Sequence, residues 1–216
     1  MNIIEWFVHF VLHMDTVLPQ IVQDMGMWSY LILWVVIFIE TGLVVTPFLP
    51  GDSLLFAAGA VAALGGLEVI PLYLLMAVAA VLGDTANYSI GHFVGEKAYN
   101  SRFIKKEYLL KTQAFFKKHG GKTILLARFV PIVRTFAPFV AGVGKMRYGY
   151  FISYNIFGGI LWTALFVFAG YFFGSVEFIK NNFSLVIIAI IVISVIPAVV
   201  EVIRNRKNPT PTSNAE

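Results

Sequence analysis

Apolar residues run through the chain in long stretches, and the places where those stretches break carry most of the information. Two of them, Tyr148–Val176 and Asn181–Val200, contain no charged side chain. Each reaches the roughly 20 residues that a hydrocarbon core about 30 Å thick demands, so they read as plain transmembrane helices. Every other apolar stretch is interrupted by a single charged residue: Glu40 after Met25–Ile39, Asp52 ahead of Ser53–Leu67, Asp84 after Val69–Gly83, Arg128 after Thr123–Ala127 and Arg134 beyond Phe129–Val133. An unpaired acid or arginine at the bilayer centre costs about 2.5–3.5 kcal/mol, so five would cost roughly 12–17 kcal/mol, as much as a whole domain's stability of about 5–15 kcal/mol. They must pair, cap broken helices or line a wet cavity, and a functional site is the default expectation.

The breaks have a grammar of their own. Over residues 27–66, the run from Glu40 to Asp52 (ETGLVVTPFLPGD) sets two prolines and two glycines inside an apolar region. A continuous helix does not survive that, so the chain is expected to turn, with Pro47, Pro50 and Gly51 supporting the turn. Ser53–Leu64 then reads as a short helix capped by Asp52 or Ser53 and closed by Gly65-Gly66. At about 1.5 Å per residue it spans roughly 18 Å, too little to cross. The same pattern returns over 122–146, where Pro131, Pro138, Gly142 and Gly144 punctuate the segment that carries Arg128 and Arg134.

Hairpin, span (Pro71–Gly95), hairpin, span (Tyr148–Val176) and a C-terminal helix make an internal repeat of architecture rather than of residues. One span separates the hairpins, so they enter from opposite faces. The expected fold is an all-α integral membrane protein, an inverted repeat with two oppositely inserted re-entrant helical hairpins, transmembrane helices and an interfacial amphipathic helix. Residues 1–207 are expected to form one domain, opening on an amphipathic or membrane helix over 1–24, with 208–216 a polar disordered tail.

Composition agrees: the chain is 58% hydrophobic and 13% charged, with a mean hydropathy of +0.79. Its net charge of +4 is not spread out as a nucleic-acid surface requires, since residues 96–122 hold eight Lys/Arg against two Glu and leave a net −2 elsewhere. That basic loop reads as cytoplasmic, and Arg204, Arg206 and Lys207 place the C-terminus on the same side. Ile104, Tyr108, Leu109, Phe115 and Phe116 recur between its lysines at near-helical spacing. This suits a helix lying on an anionic leaflet, and equally a solvated loop that only sets orientation.

The absence of cysteine excludes disulfides, thiolate metal sites and cysteine nucleophiles. Met1–Asp24 has no basic start and no small-residue cleavage site, so it is expected to be retained rather than removed as a signal. His9 and His13 stand at i, i+4 without a Glu after the first. No phosphate-cradling loop or Gly-x-Ser-x-Gly elbow is present either, so no metal, cofactor or enzymatic activity is expected.

The charged residues suggest a chemistry. Arg128 and Arg134 would lie on different faces of an unbroken helix, and Pro131 between them lets them converge. Two convergent guanidiniums suit phosphate, which they grip bidentately while keeping their charge. The alternative is that they only neutralise Glu40 and Asp52 to hold the hairpins together. An apolar setting disfavours the charged forms of Glu40 and Asp52, which opens a role in proton coupling or gating, and Asp52 also suits an N-cap. Asp84 shares a helix face with Tyr88 and Gly91, so a structural contact between helices is expected of Asp84 and Tyr88. Gly91–Gly95 and Gly170–Gly174 are spaced for helix packing.

Three segments carry a family resemblance: Glu40 to Gly59 (ETGLVVTPFLPGDSLLFAAG), the element Gly83–Gly91, and Lys118 to Gly144 (KHGGKTILLARFVPIVRTFAPFVAGVG). Together they resemble the bacterial DedA family, also called SNARE-associated or VTT-domain membrane proteins, over about residues 1–207. The resemblance implies a multi-pass protein of the bacterial plasma (inner) membrane with two facing re-entrant hairpins. It implies transport or scrambling of lipids, notably the return of undecaprenyl phosphate, driven by the proton motive force. It further implies essential acidic and arginine positions that fall on Glu40, Asp52, Arg128 and Arg134. Phosphatidylethanolamine scrambling is an alternative, as is a proton- or cation-coupled antiporter with the acids as its cation site. A membrane enzyme acting on lipid phosphates is disfavoured because neither 27–66 nor 122–146 contains a histidine. The expected partners are the lipid phosphate and an anionic leaflet at 96–122, with homo-oligomerisation left open.

Overall fold

A computed structural model describes residues 14–43, 51–95 and 119–177, with positions 110, 112–114, 116, 182, 185, 186, 189 and 190. Among the described residues every regular element is helical: α1 (Met14–Met25), α2 (Trp28–Gly42), α3 (Gly51–Ala63), α4 (Val69–Val94), a 3-10 turn (Gly120–Lys122), α5 (Thr123–Ala127), α6 (Pro131–Val143) and α7 (Tyr148–Phe173). Pro47 and Pro50, most of the basic segment 96–122, residues 1–13 and the tail 208–216 lie outside the described residues, as does most of Asn181–Val200.

Local chemistry explains the boundaries. Along α1, Leu18 and Val22 are buried one turn apart while Gln20, Gln23 and Asp24 are exposed, which is the pattern of an amphipathic helix. The α2 helix stops where Leu43 turns extended (φ −106°, ψ 122°). A paired cap ends α3: Gly65 N–H donates to Ala62 O (3.1 Å) and Gly66 N–H to Val61 O (3.0 Å), with Gly65 at φ +85°. The same pair of bonds ends α6 through Lys145 and Met146, and there the left-handed position falls to Lys145 (φ +53°). At the start of α6, extended Val130 precedes Pro131, whose missing N–H is one the first turn would leave unpaired anyway. Pro138 lies inside α6.

Both α4 and α7 have 26 residues, about 39 Å at 1.5 Å each, and are apolar enough to cross a membrane. By contrast α3 and α6 have 13 residues each, about 20 Å. Each short helix packs on the long helix that does not follow it directly, α3 on α7 and α6 on α4, while α4 and α7 also touch. Glycines permit these crossings. A Cβ on Gly59 or Gly170 would strike the backbone of Val167 or Phe56 across the α3–α7 contact, and one on Gly91 or Gly142 would strike Phe139 or Tyr88 across α4–α6. Around an apolar core, Ile70, Leu74, Val78, Phe93, Phe157 and Leu165 are exposed, whereas Asp84, Asn87, Asn155 and Thr163 are buried.

Gly59→Ala and Gly142→Ala are each expected to force their helices apart and to destabilise by about 1–3 kcal/mol. Gly149→Ala, with open space around it, should leave the melting temperature in detergent unchanged or slightly raised.

Candidate functional site

The breaks in the helices bring the charged residues together. Glu40 sits in the last turn of α2, Asp52 in the first turn of α3 and Arg134 in the first turn of α6. The Arg134 guanidinium spans both acids, donating from Nη1 to Asp52 Oδ1 at 2.6 Å and from Nη2 to Glu40 Oε1. Neither Glu40 nor Arg134 is favoured by its own helix, since an acid near a C-terminus and a cation near an N-terminus oppose the helix dipole. They are placed for each other. Gly51 makes room, because a Cβ there would lie 2.8 Å from Glu40 Oε2.

Arg128 stands in the break between α5 and α6 and faces other partners. Its Nη2 donates to Asp84 Oδ2 on α4 (2.5 Å) and to Asn155 Oδ1 on α7 (2.7 Å). Asn155 Nδ2 in turn donates to Val81 O at 3.0 Å. Gly158 and Gly159 let the arginine lie flat on α7, since a Cβ on Gly158 would come within 3.1 Å of Arg128 Cδ and Nε. The alternative in which both arginines neutralise Glu40 and Asp52 does not match this pairing. Arg134 alone bridges that pair, and Asp84, read from the sequence as a contact between helices, is the counter-ion of Arg128.

The two guanidiniums still converge, on a residue that the apolar pattern hid. Their Cζ atoms lie 5.0 Å (Arg134) and 5.7 Å (Arg128) from the ring centroid of Trp162, whose Nε1 donates to Asp52 Oδ1 at 2.9 Å. A single signal pointed to α7: Asn155 and Trp162 fall seven residues apart, on one helix face, inside an otherwise apolar span. Asn87 braces the breaks, its Nδ2 donating to Thr41 O (3.2 Å) and Thr135 O (3.0 Å). Tyr88 does not reach the charges; its hydroxyl donates to Met146 O at the end of α6.

Exposure separates the two arginine pairs. The Arg134 and Asp52 side chains keep 14% and 15% of their surface, against 2% and 5% for Arg128 and Asp84. Arg134 and Asp52 are partly buried, the Arg128–Asp84 pair is sealed, and Glu40 is as buried as Asp84. Three carboxylates face two guanidiniums, a formal excess of one negative charge. Among the described residues, Glu40 Oε2, Asn87 Oδ1 and the Nε and Nη1 of Arg128 are buried with no hydrogen-bond partner, and no group of three His, Cys, Asp or Glu side chains is placed to hold a metal.

The VTT domain model matches residues 49–172, which takes in Asp52, Asp84, Arg128, Arg134 and Trp162. The chain belongs to the VTT-domain, or DedA, family. It is 52% identical over 212 residues to Protein DedA of Escherichia coli K12, covering 96% of this chain and 97% of that protein. An uncharacterised membrane protein of Mycobacterium tuberculosis is 48% identical over 182 residues, 81% of this chain and 80% of its own length. The inner membrane protein YqjA of E. coli is 34% identical over 148 residues, 67% of each. No solved structure matches. With its exposed apolar helices and these relatives, the protein is a helical membrane protein.

Removing one member of the sealed pair leaves a buried charge unpaired. Asp84→Ala is expected to cost about 3–5 kcal/mol, read as a large fall in melting temperature, and joint Asp84→Leu and Arg128→Met substitution to recover most of it. Asp52→Ala, which leaves Arg134 its Glu40 partner, should cost less.

Proposed function

We propose that the protein is a lipid transporter of the bacterial inner membrane that returns undecaprenyl phosphate to the cytoplasmic leaflet, coupled to protons. The observation that carries the reading is the Arg134 bridge: a partly exposed guanidinium held by two carboxylates where two broken segments meet. A phosphate can take the place of either carboxylate, because the same fork grips both. Protonating Asp52 or Glu40 loosens its hold, frees Arg134 for the lipid phosphate, and ties lipid return to proton influx. The excess of one carboxylate supports this, since one added proton brings the cluster to neutrality. Arg128, sealed with Asp84, contributes its charge to the same site rather than its free edge.

Two units of a 13-residue helix, a left-handed cap and a 26-residue helix, each short helix lying on the other unit's long one, support an inverted repeat of two re-entrant hairpins. The basic loop over 96–122 then lies in the cytoplasm, and the prenyl tail stays in lipid. A second reading, cation-coupled antiport, draws on the buried oxygens of Glu40 and Asn87 that lack donors; phosphatidylethanolamine scrambling is a third.

Leaflet-resolved transport of labelled undecaprenyl phosphate and phosphatidylethanolamine in proteoliposomes separates them. Undecaprenyl phosphate is expected to cross faster with a pH gradient imposed, and Arg134→Lys to slow it by about tenfold, the loss of one charge-assisted bond. An unchanged rate in that variant counts against bidentate recognition. Dissipation of a proton or sodium gradient with no lipid movement establishes the antiporter instead, and release of inorganic phosphate an enzyme.

A further inference from the structure

Trp162 lies against three of the charged groups, Asp52, Arg128 and Arg134. The indole is wholly buried in α7. Its Nε1–H donates to Asp52 Oδ1, the same oxygen that accepts Arg134 Nη1. Both guanidiniums lie within 6 Å of its ring centroid, at 5.0 and 5.7 Å, the range over which an aromatic face attracts a cation.

A carboxylate loses its hold on an arginine when it gains a proton or when a phosphate displaces it. The ring has no proton to gain and no charge to lose, so its attraction persists through either event. Two like charges sharing one buried space repel most when a counter-charge is withdrawn, and that is when a neutral anchor matters. The N–H, meanwhile, keeps Asp52 aimed at the place Arg134 leaves and must return to.

We propose that Trp162 is the positioning residue of the site: its ring holds the Arg134 guanidinium, and its N–H holds Asp52, while Arg134 passes between its carboxylates and a lipid phosphate. The role rests on the lipid-phosphate reading. It differs from simple packing because the ring and the N–H have separable effects.

The test compares initial rates of undecaprenyl phosphate transport across a range of lipid mole fractions for the wild type, Trp162→Phe and Trp162→Leu, each with its melting temperature. Phe keeps a ring and loses the N–H, so KM should stay within about twofold while kcat falls about fivefold; Leu loses both, and KM should rise about tenfold. Unchanged KM and kcat in two folded variants, or equal losses of kcat alone in both, overturn the proposal.

A second measurement does not depend on Leu folding. In a protein carrying Trp6→Phe, Trp28→Phe and Trp34→Phe, Trp162 is the only tryptophan left of four. Its emission should shift saturably with a short-chain isoprenyl phosphate and not with the uncharged isoprenol. A silent Trp162 in a protein that still transports removes the positioning role and leaves the transport reading standing. A wild type that moves no lipid phosphate removes both.

Discussion

An arginine largely enclosed by protein that cannot give up its proton must find acceptors there, and Arg134 finds its own in the two acids that end α2 and begin α3. Much of the local structure follows from that demand. Helix ends expose backbone groups that an apolar interior cannot satisfy, so three such ends can meet inside the protein only if something polar holds them. Arg134 ties the three together, Asn87 takes up the carbonyls of Thr41 and Thr135, and the missing side chain of Gly51 lets the Glu40 carboxylate reach its place. The site and the fold are one construction here.

The second arginine obeys the same constraint with a different outcome. Arg128 is enclosed by Asp84, Asn155 and the glycine pair of α7, and its surroundings leave it little to exchange with. Arg134 and Asp52 keep part of their surface, while Glu40, the other acid on Arg134, is as buried as Asp84. The Trp162 ring lies beside both guanidiniums, a face that has no protonation state of its own.

The outer surface of this molecule is unlike that of a water-soluble domain. Large apolar side chains cover the outside of α4 and α7, and small residues line the crossings. With little hydrophobic force between helices in lipid, close contact must do much of the holding, and the glycines at Gly59, Gly91, Gly142 and Gly170 let the backbones approach beside buried Trp162, Phe139 and Phe151.

What the sequence determined by itself was local: where helices could run and where they had to stop. A proline at the start of α6, a glycine at the end of α3 and a lone charge at each break act within a few residues, so the two broken segments and four of the site's charged residues could be read from one strand of text. Which charge answers which was not of that kind. Arg134 and Glu40 are 94 residues apart, Arg128 and Asp84 are 44, and Trp162 and Asp52 are 110. Asn155 and Trp162 gave almost no signal inside an apolar span, because one amide and one indole change its hydropathy very little. Only the packing of α7 against α3 and α4 turned that face inward, and a buried charge takes whatever partner the packing sets beside it, whatever its distance along the chain.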